Sequence, residues 1–341
     1  MQKYGSGGAG VERWERLRER PFTVHDAESF NALALDLFHL HAAENPVYHG
    51  FLNALGRDPA RVERVADIPF LPIELFRDRT VLLDGLKADR IFTSSGTTGM
   101  RTSTHAVPWP ELYERSFLEG FRLAYGDPRE WRILALLPAY LERPDSSLVY
   151  MAQHLIAATG DPLSGTYLHD LDALVDVLER SEAERERTLL LGVTFSLLDL
   201  AEKHPMRLAH TTVMETGGMK GRRPELVRED VHAILKEAFG IPAVHSEYGM
   251  TELLSQAYSS GEGRFTCPPW MRVLVREVND PFTRPAYGRT GGIDVIDLCN
   301  AASCPFISTQ DLGRLHPDGT FEVLGRFDNS DVRGCNLMVE G

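Results

Sequence analysis

The sequence is poor in cysteine, lacks any long apolar run and has no excess of positive charge, and each shortage excludes a class of protein. Its four cysteines, Cys267, Cys299, Cys304 and Cys335, have no zinc-ligand spacing and are too sparse for a disulfide framework. Reduced thiols are therefore expected. The longest apolar stretches, such as Leu189-Leu190-Leu191-Gly192-Val193, fall far short of the roughly 20 residues that a membrane-spanning helix needs. No charged-then-apolar leader opens the chain, so a cytoplasmic protein without membrane insertion is expected. A net charge of −13 leaves no basic stripe for a phosphate backbone, and no nucleic-acid partner is expected.

What is present is an ordinary globular composition, 43% apolar and 25% charged, over 341 residues. That length exceeds what one hydrophobic core usually serves, so subdivision is expected. Residues 1–10 read as disordered from their glycine content. Phe30, Leu33, Ala34, Leu37 and Phe38 keep a helical stripe that should end before Asn45-Pro46, because the residue before proline is pushed out of the α region. Ile68-Pro69-Phe70-Leu71-Pro72 must be extended and is expected to cross a surface, since its prolines fit neither a helix nor a central strand.

Further on, apolar runs alternate with helical patterns. Pro110 opens a helix whose Tyr113, Phe117 and Phe121 face a core, with Gly126 closing it. Arg132 to Leu137, Leu189 to Val193, Thr212 to Glu215 and Ala243 to His245 read as strands. Helices are expected around Leu171 to Leu178, from Phe195 to Leu200, and from Pro224, with Leu226, Val231, Ile234 and Leu235, to a stop near Gly240. Such alternation implies an α/β fold with parallel sheets covered by helices, whose ligands sit at the carboxyl ends of strands. From about Arg264 the texture changes to strand-like runs at Met271 to Val278, Gly292 to Leu298 and Thr320 to Leu324, which read as an antiparallel or barrel-like subdomain.

Four clusters have the chemistry of a ligand site. Thr93-Ser94-Ser95-Gly96-Thr97-Thr98-Gly99 follows a short strand and carries only hydroxyls and glycines. Such a loop offers backbone N–H groups and hydroxyls to a phosphate chain, although no Gly-Lys-Ser/Thr follows to make it a Walker A loop. Glu215-Thr216-Gly217-Gly218-Met219-Lys220-Gly221, Tyr248-Gly249-Met250-Thr251-Glu252, and Thr309-Gln310-Asp311-Leu312-Gly313 with Gly325-Arg326-Phe327-Asp328 complete the set. Each taken singly has a bland account: a flexible surface turn, a helix-stop turn, a buried tyrosine beside a capped helix, a surface aspartate turn.

Together and in this order they resemble the adenylate-forming superfamily of acyl-CoA synthetases, peptide-synthetase adenylation domains and luciferases. More narrowly, the helical start, Ile68-Pro69-Phe70-Leu71-Pro72, Gly217-Gly218-Met219-Lys220-Gly221 and the ending Arg333-Gly334-Cys335 look like the acyl-protein synthetase family typified by the bacterial bioluminescence fatty-acid ligase. The resemblance implies the large-domain fold of adenylate-forming enzymes, layered mainly parallel sheets flanked by helices plus a β-rich barrel-like subdomain. The mobile C-terminal domain with its catalytic lysine is expected to be absent. The expected divisions are a partly disordered N-terminus at 1–25, an α/β core at 26–263, a β-rich subdomain at 264–325 and a hinge-like tail at 326–341.

Carried over position by position, the resemblance implies that Ser94, Ser95, Gly96, Thr97, Thr98 and Gly99 hold the β- and γ-phosphates of ATP. Gly217 and Gly218 would border the adenine and Tyr248 would stack on it. Thr251 would bind the α-phosphate, Glu252 a magnesium ion, and Asp311 the ribose, with Arg326 at the ribose or phosphate edge. Cys335 would carry the acyl group as a thioester and hand it to a reductase. Phe195, Leu197 and Leu198 are candidates for the acyl pocket or plain core. The implied activity is ATP-dependent activation of a fatty acid to an acyl-adenylate, then transfer to a thiol. Coenzyme A as the acceptor, or a degenerate nucleotide-binding scaffold, remain as alternatives.

Overall fold

The computed structural model describes residues 17–94, 102–137, 145–167, 170–217 and 226–327. After a helical stretch that ends in a 3-10 turn at Arg20–Thr23 come two longer helices, α1 (Ala27–Glu44) and α2 (Pro46–Ala54). Asp26 caps α1 by accepting the Ser29 N–H at 2.8 Å, and Asn45 both ends α1 and caps α2, its Oδ1 accepting the N–H groups of Val47 and Tyr48. Pro46 at the first helical position loses nothing, since its missing N–H would have had no partner inside the helix.

The chain continues through β1 (Leu71–Pro72), a helical turn α3 (Leu75–Asp78), β2 (Arg90–Thr93), β3 (Thr104–Val107), α4 (Pro110–Tyr125), β4 (Arg132–Leu136), α5 (Ser147–Thr159), β5 (Gly165–Thr166), α6 (Leu171–Glu184), β6 (Thr188–Val193), α7 (Thr194–Lys203), β7 (Thr211–Thr216), α8 (Arg228–Phe239) and β8 (His245–Tyr248). The remaining strands are β9 (Ala257–Ser259), β10 (Arg264–Phe265), β11 (Met271–Arg276), β12 (Thr290–Asp297), β13 (Phe306–Leu315) and β14 (Phe321–Arg326).

One sheet has the order β5-β4-β6-β7-β8-β9, parallel except for β9, which runs antiparallel to β8. Every residue of β4 and β6 is buried, as expected of strands covered on both faces. The chain leaves β4 toward β5 on one side and returns to β6 on the other. Strand order therefore reverses there, and at such a reversal open α/β sheets bind ligands outside the carboxyl ends of their strands. The second sheet has the order β10-β14-β13-β12-β11, antiparallel along that path, with β1 paired in parallel to β13. It curls into a half-barrel, and β11 alternates buried and half-buried residues, as a strand with one face on the core does. β2 and β3 form a separate hairpin that carries the Ser/Thr/Gly loop between them.

Three local expectations need correction. The segment from Ile68 to Pro72 is mostly buried rather than surface-crossing, because Leu71 and Pro72 add as a short parallel strand beside Ile307 and Ser308 of β13. Two residues suffice there, and the Ile73 N–H makes the bond to Ser308 O that proline cannot make. The strand placed at Ala243 to His245 runs instead from His245 through Tyr248, since β9 pairs with it over Ser246, Glu247 and Tyr248. The helix expected from Pro224 starts at Arg228 instead, with Val227 as its N-cap, so Leu226 precedes it; Val231 and Leu235 are buried, whereas Leu226 and Ile234 are exposed. The four apolar residues do not share one face. Gly240 closes α8 in the left-handed region at φ 61°, as the glycine stop requires.

Candidate functional site

β6, β7 and β8 end side by side at Val193, Thr216 and Tyr248, and the candidate residues gather around those ends. Tyr248 is the last residue of β8. Its Oη donates to Asp311 Oδ2 at 2.9 Å, joining the parallel sheet to the half-barrel. Phe265 and Phe321 meet its ring edge-on, with centroids 5.9 and 5.4 Å away. Burial, reinforced by the Asp311 carboxylate, raises the phenol pKa far above its ordinary value, so the hydroxyl stays a donor.

Asp311 lies buried in the middle of β13, not on a surface turn. Thr309 two residues earlier points its Oγ1 at the same strand: it accepts the Asp311 N–H at 3.1 Å and donates to Ile293 O at 2.8 Å. The other carboxylate oxygen, Oδ1, accepts Arg326 Nε at 3.2 Å, across the β13–β14 register that puts 311 opposite 326. The Arg326 side chain is 72% exposed, so this pair adds little stability and the guanidinium still faces solvent. Gly313 permits the close strand approach here, because a Cβ would lie 2.3 Å from Glu322 O.

The Thr251-Glu252 turn is clamped from two directions. His105 of β3 donates Nδ1–H to Thr251 O at 2.7 Å, and its Nε2 lies 3.0 Å from Asn300 Oδ1. Asn300 in turn donates to Glu252 O at 2.8 Å and Cys304 O at 2.9 Å. Burial pulls the His105 pKa down to about 4. The Glu252 carboxylate is buried, and burial raises its pKa, opposed by a hydrogen bond from Ser103. Ser94 Oγ donates to Ser103 Oγ at 3.2 Å. Ser94 thus reaches Glu252 through one intervening hydroxyl.

Gly217 follows β7 at φ 71°, a conformation that favours glycine. Thr194 Oγ1 faces both Gly217 O at 3.3 Å and Glu215 Oε2 at 3.1 Å. Burial would raise the Glu215 pKa, but His232 at 3.7 Å and Arg228 at 3.4 Å from its Oε1 prevail and lower it. Arg228 also donates to Val323 O at 3.0 Å, tying the start of α8 to β14. Leu197 packs against Gly192 at the end of β6, where a Cβ would lie 2.7 Å from its side chain. Phe195, Leu197 and Leu198 are all buried.

Ser95, Gly96, Thr97, Thr98, Gly99, Gly218, Lys220 and Cys335 lie outside the described residues. The other three cysteines are unpaired, and burial raises their pKa values, to about 12 for Cys267 and Cys304. Among the described residues no group of three or more His, Cys, Asp or Glu could hold a metal ion, and no helix is long and apolar enough to cross a membrane.

No protein-family model matches the sequence, and no curated protein matches it. Solved structures do match. 2-Hydroxyisobutyryl-CoA ligase in its postadenylation state, in complex with 2-HIB-AMP, aligns over 90% of this chain and 70% of its own, with a TM-score of 0.66 and 14% identity. The same ligase with 2-HIB-AMP and CoA in its thioesterification state aligns over 94% of this chain and 70% of its own, with a TM-score of 0.63 and 15% identity. ATP-bound MatB from Rhodopseudomonas palustris aligns over 69% of this chain and 47% of its own, with a TM-score of 0.51 and 20% identity. The chain spans about half the length of the MatB structures it matches.

The fold is that of the adenylate-forming enzymes. Within this fold, contacts connect Tyr248, Asp311 and Arg326 in one line and Ser94, Glu252 and Thr251 in another, with Gly217 at the adjacent strand end. Sequence reasoning assigned no role to His105, Asn300, Thr194, Arg228, His232 or Glu247. Glu215 and Glu247 did carry a signal, Glu215 being a carboxylate inside the expected strand Thr212 to Glu215 and Glu247 lying two residues past the expected strand Ala243 to His245, and unpaired acids are almost never fully buried. The others depend on contacts between segments far apart in the chain.

Proposed function

We propose that the protein uses ATP to activate a carboxylic acid as an acyl-adenylate and then passes the acyl group to a thiol. The observation that carries this reading is the connected set Ser94–Ser103–Glu252 and Tyr248–Asp311–Arg326 at the carboxyl edge of the parallel sheet. A substrate carboxylate oxygen attacks the α-phosphorus, the bond to the β-phosphate bridging oxygen breaks, and pyrophosphate leaves. A thiolate then attacks the acyl carbon and AMP departs. The first step needs little covalent help from the protein, so catalysis is positioning and neutralisation of phosphate charge.

In this reading Ser94, with Ser95 to Gly99, holds the β- and γ-phosphates. Gly217 and Gly218 border the adenine beside Tyr248, Thr251 meets the α-phosphate, and Asp311 binds the ribose with Arg326 at its edge. Magnesium fits Glu252: the carboxylate is buried, and no described cation lies at ion-pair distance from it. A divalent ion shared with the phosphates would supply that missing charge and neutralise the phosphate oxygens.

The finer reading is a fatty acid, a thioester on the protein's own Cys335 and a partner reductase as final acceptor. The resemblance in Gly217-Gly218-Met219-Lys220-Gly221 and Arg333-Gly334-Cys335 supports it. Coenzyme A is a second reading for the acceptor, favoured by the fold shared with a ligase solved with CoA. Carboxylate-dependent exchange of labelled pyrophosphate into ATP tests the first step, and exchange absent with every acid rejects it. Hydroxylamine-labile label from a labelled acid tests the second. Label that disappears in Cys335→Ser supports the thioester, whereas undiminished label on that variant eliminates Cys335.

A further inference from the structure

Glu247 and Tyr248 are consecutive residues of β8, so their side chains leave opposite faces of the sheet. Tyr248 turns to Asp311. Glu247 turns away from the half-barrel, and its carboxylate is buried. Among the described residues it receives one hydrogen bond, from Thr216 Oγ1 to Oε2, from the strand position in register with it. Burial, with Glu215 adding repulsion, pushes its pKa up to about 7. Among the described residues the nearby cations are engaged elsewhere: Arg228 and His232 pair with Glu215, and burial lowers the His245 pKa.

The surroundings of Glu247 are rich in acceptors. Gln256 is 5% exposed, and among the described residues its Oε1 has no hydrogen-bond partner. Its amide is turned to Tyr113, which leaves the oxygen over. Gln256 and Glu247 flank Gly249 closely: a Cβ there would lie 2.5 Å from Glu247 Oε1 and 3.3 Å from Gln256 Cγ. Tyr113, Tyr125 and Tyr258 are near enough that the Glu247 charge adds to burial in raising their hydroxyl pKa values. Tyr258 lies opposite Glu247 in the β8–β9 register and meets Tyr125 edge-on at 5.4 Å. Between Tyr113 and Tyr125 on the buried face of α4 stands Gly120, where a Cβ would meet no atom within 4 Å. Space therefore remains where a side chain would ordinarily fill the core.

Among the described residues, then, a buried carboxylate lacks a cation and a nearby acceptor oxygen lacks a donor, with three tyrosines within reach of the charge. We propose that Glu247 and Gln256 bind an ammonium group on the acyl part of the substrate, so that the acid activated is an amino-bearing carboxylic acid rather than an unsubstituted alkyl one. An ammonium brings three donors and a positive charge. It satisfies the Glu247 carboxylate and Gln256 Oε1 together and gains from the tyrosine faces, while a bare methylene chain leaves both acceptors unpaired. The inference rests on the adenylation reading and departs from the plain fatty chain that the resemblance implies.

The test compares pyrophosphate exchange for matched acids with and without the amine: phenylalanine against 3-phenylpropionate, β-alanine against propionate, 6-aminohexanoate against hexanoate. At least one pair should favour the amine by roughly ten- to hundredfold, the range of a charge-assisted hydrogen bond. Glu247→Gln should collapse that ratio, and Gln256→Met should lower it less. A ratio near one for every pair in the unaltered protein, or a ratio that Glu247→Gln leaves intact, overturns the proposal. Should no acid support exchange, the adenylation reading fails by itself. Calorimetric titration with 6-aminohexanoate and hexanoate then reads the amine site directly. A preference for the amine that Glu247→Gln removes supports it, and equal or absent binding overturns it.

Discussion

Tyr248 donates its hydroxyl proton to Asp311 across 2.9 Å, with both side chains buried. This bond spans the junction between the last parallel strand and the half-barrel, and it orients the carboxylate assigned to the ribose. Asp311→Ala should weaken ATP binding by ~1.5–3 kcal/mol, the worth of a charge-assisted hydrogen bond. Tyr248→Phe, which keeps the ring and removes the donor, should cost about 1 kcal/mol. Titration of a fluorescent ATP analogue measures both, and unaltered affinity in the two variants would remove Asp311 from the nucleotide site.

Glu252 is the buried carboxylate reached from Ser94 through Ser103. Glu252→Gln keeps the shape and deletes the charge, so the magnesium concentration for half-maximal exchange should rise by an order of magnitude or so, as expected for losing an ionic metal ligand. ATP affinity without magnesium should change far less. Equal losses with and without the metal would make Glu252 a structural residue.

Glu247 should make stability depend on pH. Its pKa is about 7 in the fold against 4.5 for the ordinary side chain. The folded chain therefore keeps a proton that the unfolded chain loses, and stability falls as pH rises from about 4.5 to about 7. Glu247→Gln should consequently be more stable than the parent above pH 7.5, by roughly 2–3 kcal/mol. The difference should shrink toward zero near pH 4. Urea midpoints at several pH values give the comparison, and a difference that does not vary with pH would contradict an unpaired buried carboxylate.

His41 predicts the opposite slope. It is wholly buried, with Nε2 donating to Ala301 O at 2.9 Å and Nδ1 accepting from Asn45 at 3.1 Å, an arrangement that needs the neutral ring. Burial lowers its pKa to about 4 from 6.5. The unfolded chain takes up the proton first, so stability is present above about 6.5 and is lost as pH falls toward 4. His41→Gln should flatten that acid limb while lowering stability at pH 7.5 by about 1–3 kcal/mol through lost hydrogen bonds. An acid limb of unchanged steepness in His41→Gln would mean that other groups drive acid unfolding.

Much of the fold is legible in the sequence. β4 and β6 are continuous apolar runs, and a strand covered on both faces leaves no alternative pattern. The helix opening at Pro110 and closing at Gly126 was readable from its capping residues and its four-residue aromatic spacing. β8 was misplaced by three residues because Ser246, Glu247 and Tyr248 look polar. They join the sheet through partners on β7 and β9, which local composition does not report. β13 was harder still: Thr309, Gln310, Asp311 and Gly313 read as a turn until two neighbouring strands claim their backbone.

The order of the hydroxyl loop, the glycine pair, Tyr248, Thr251-Glu252 and Asp311 along the chain was determined by the sequence alone, and with it the expectation of a nucleotide. Tertiary structure decided what those residues touch. The hydrogen bond from Tyr248 to Asp311 closes only when strands distant in sequence become neighbours, as does the contact of Ser103 on the β2–β3 hairpin with Glu252, and no local pattern encodes that proximity. The same holds for Glu247. Its type and position were visible, but whether a carboxylate is solvated or left buried without a cation is settled by what packs around it, because the cost of its charge depends on the surrounding medium and not on the residue.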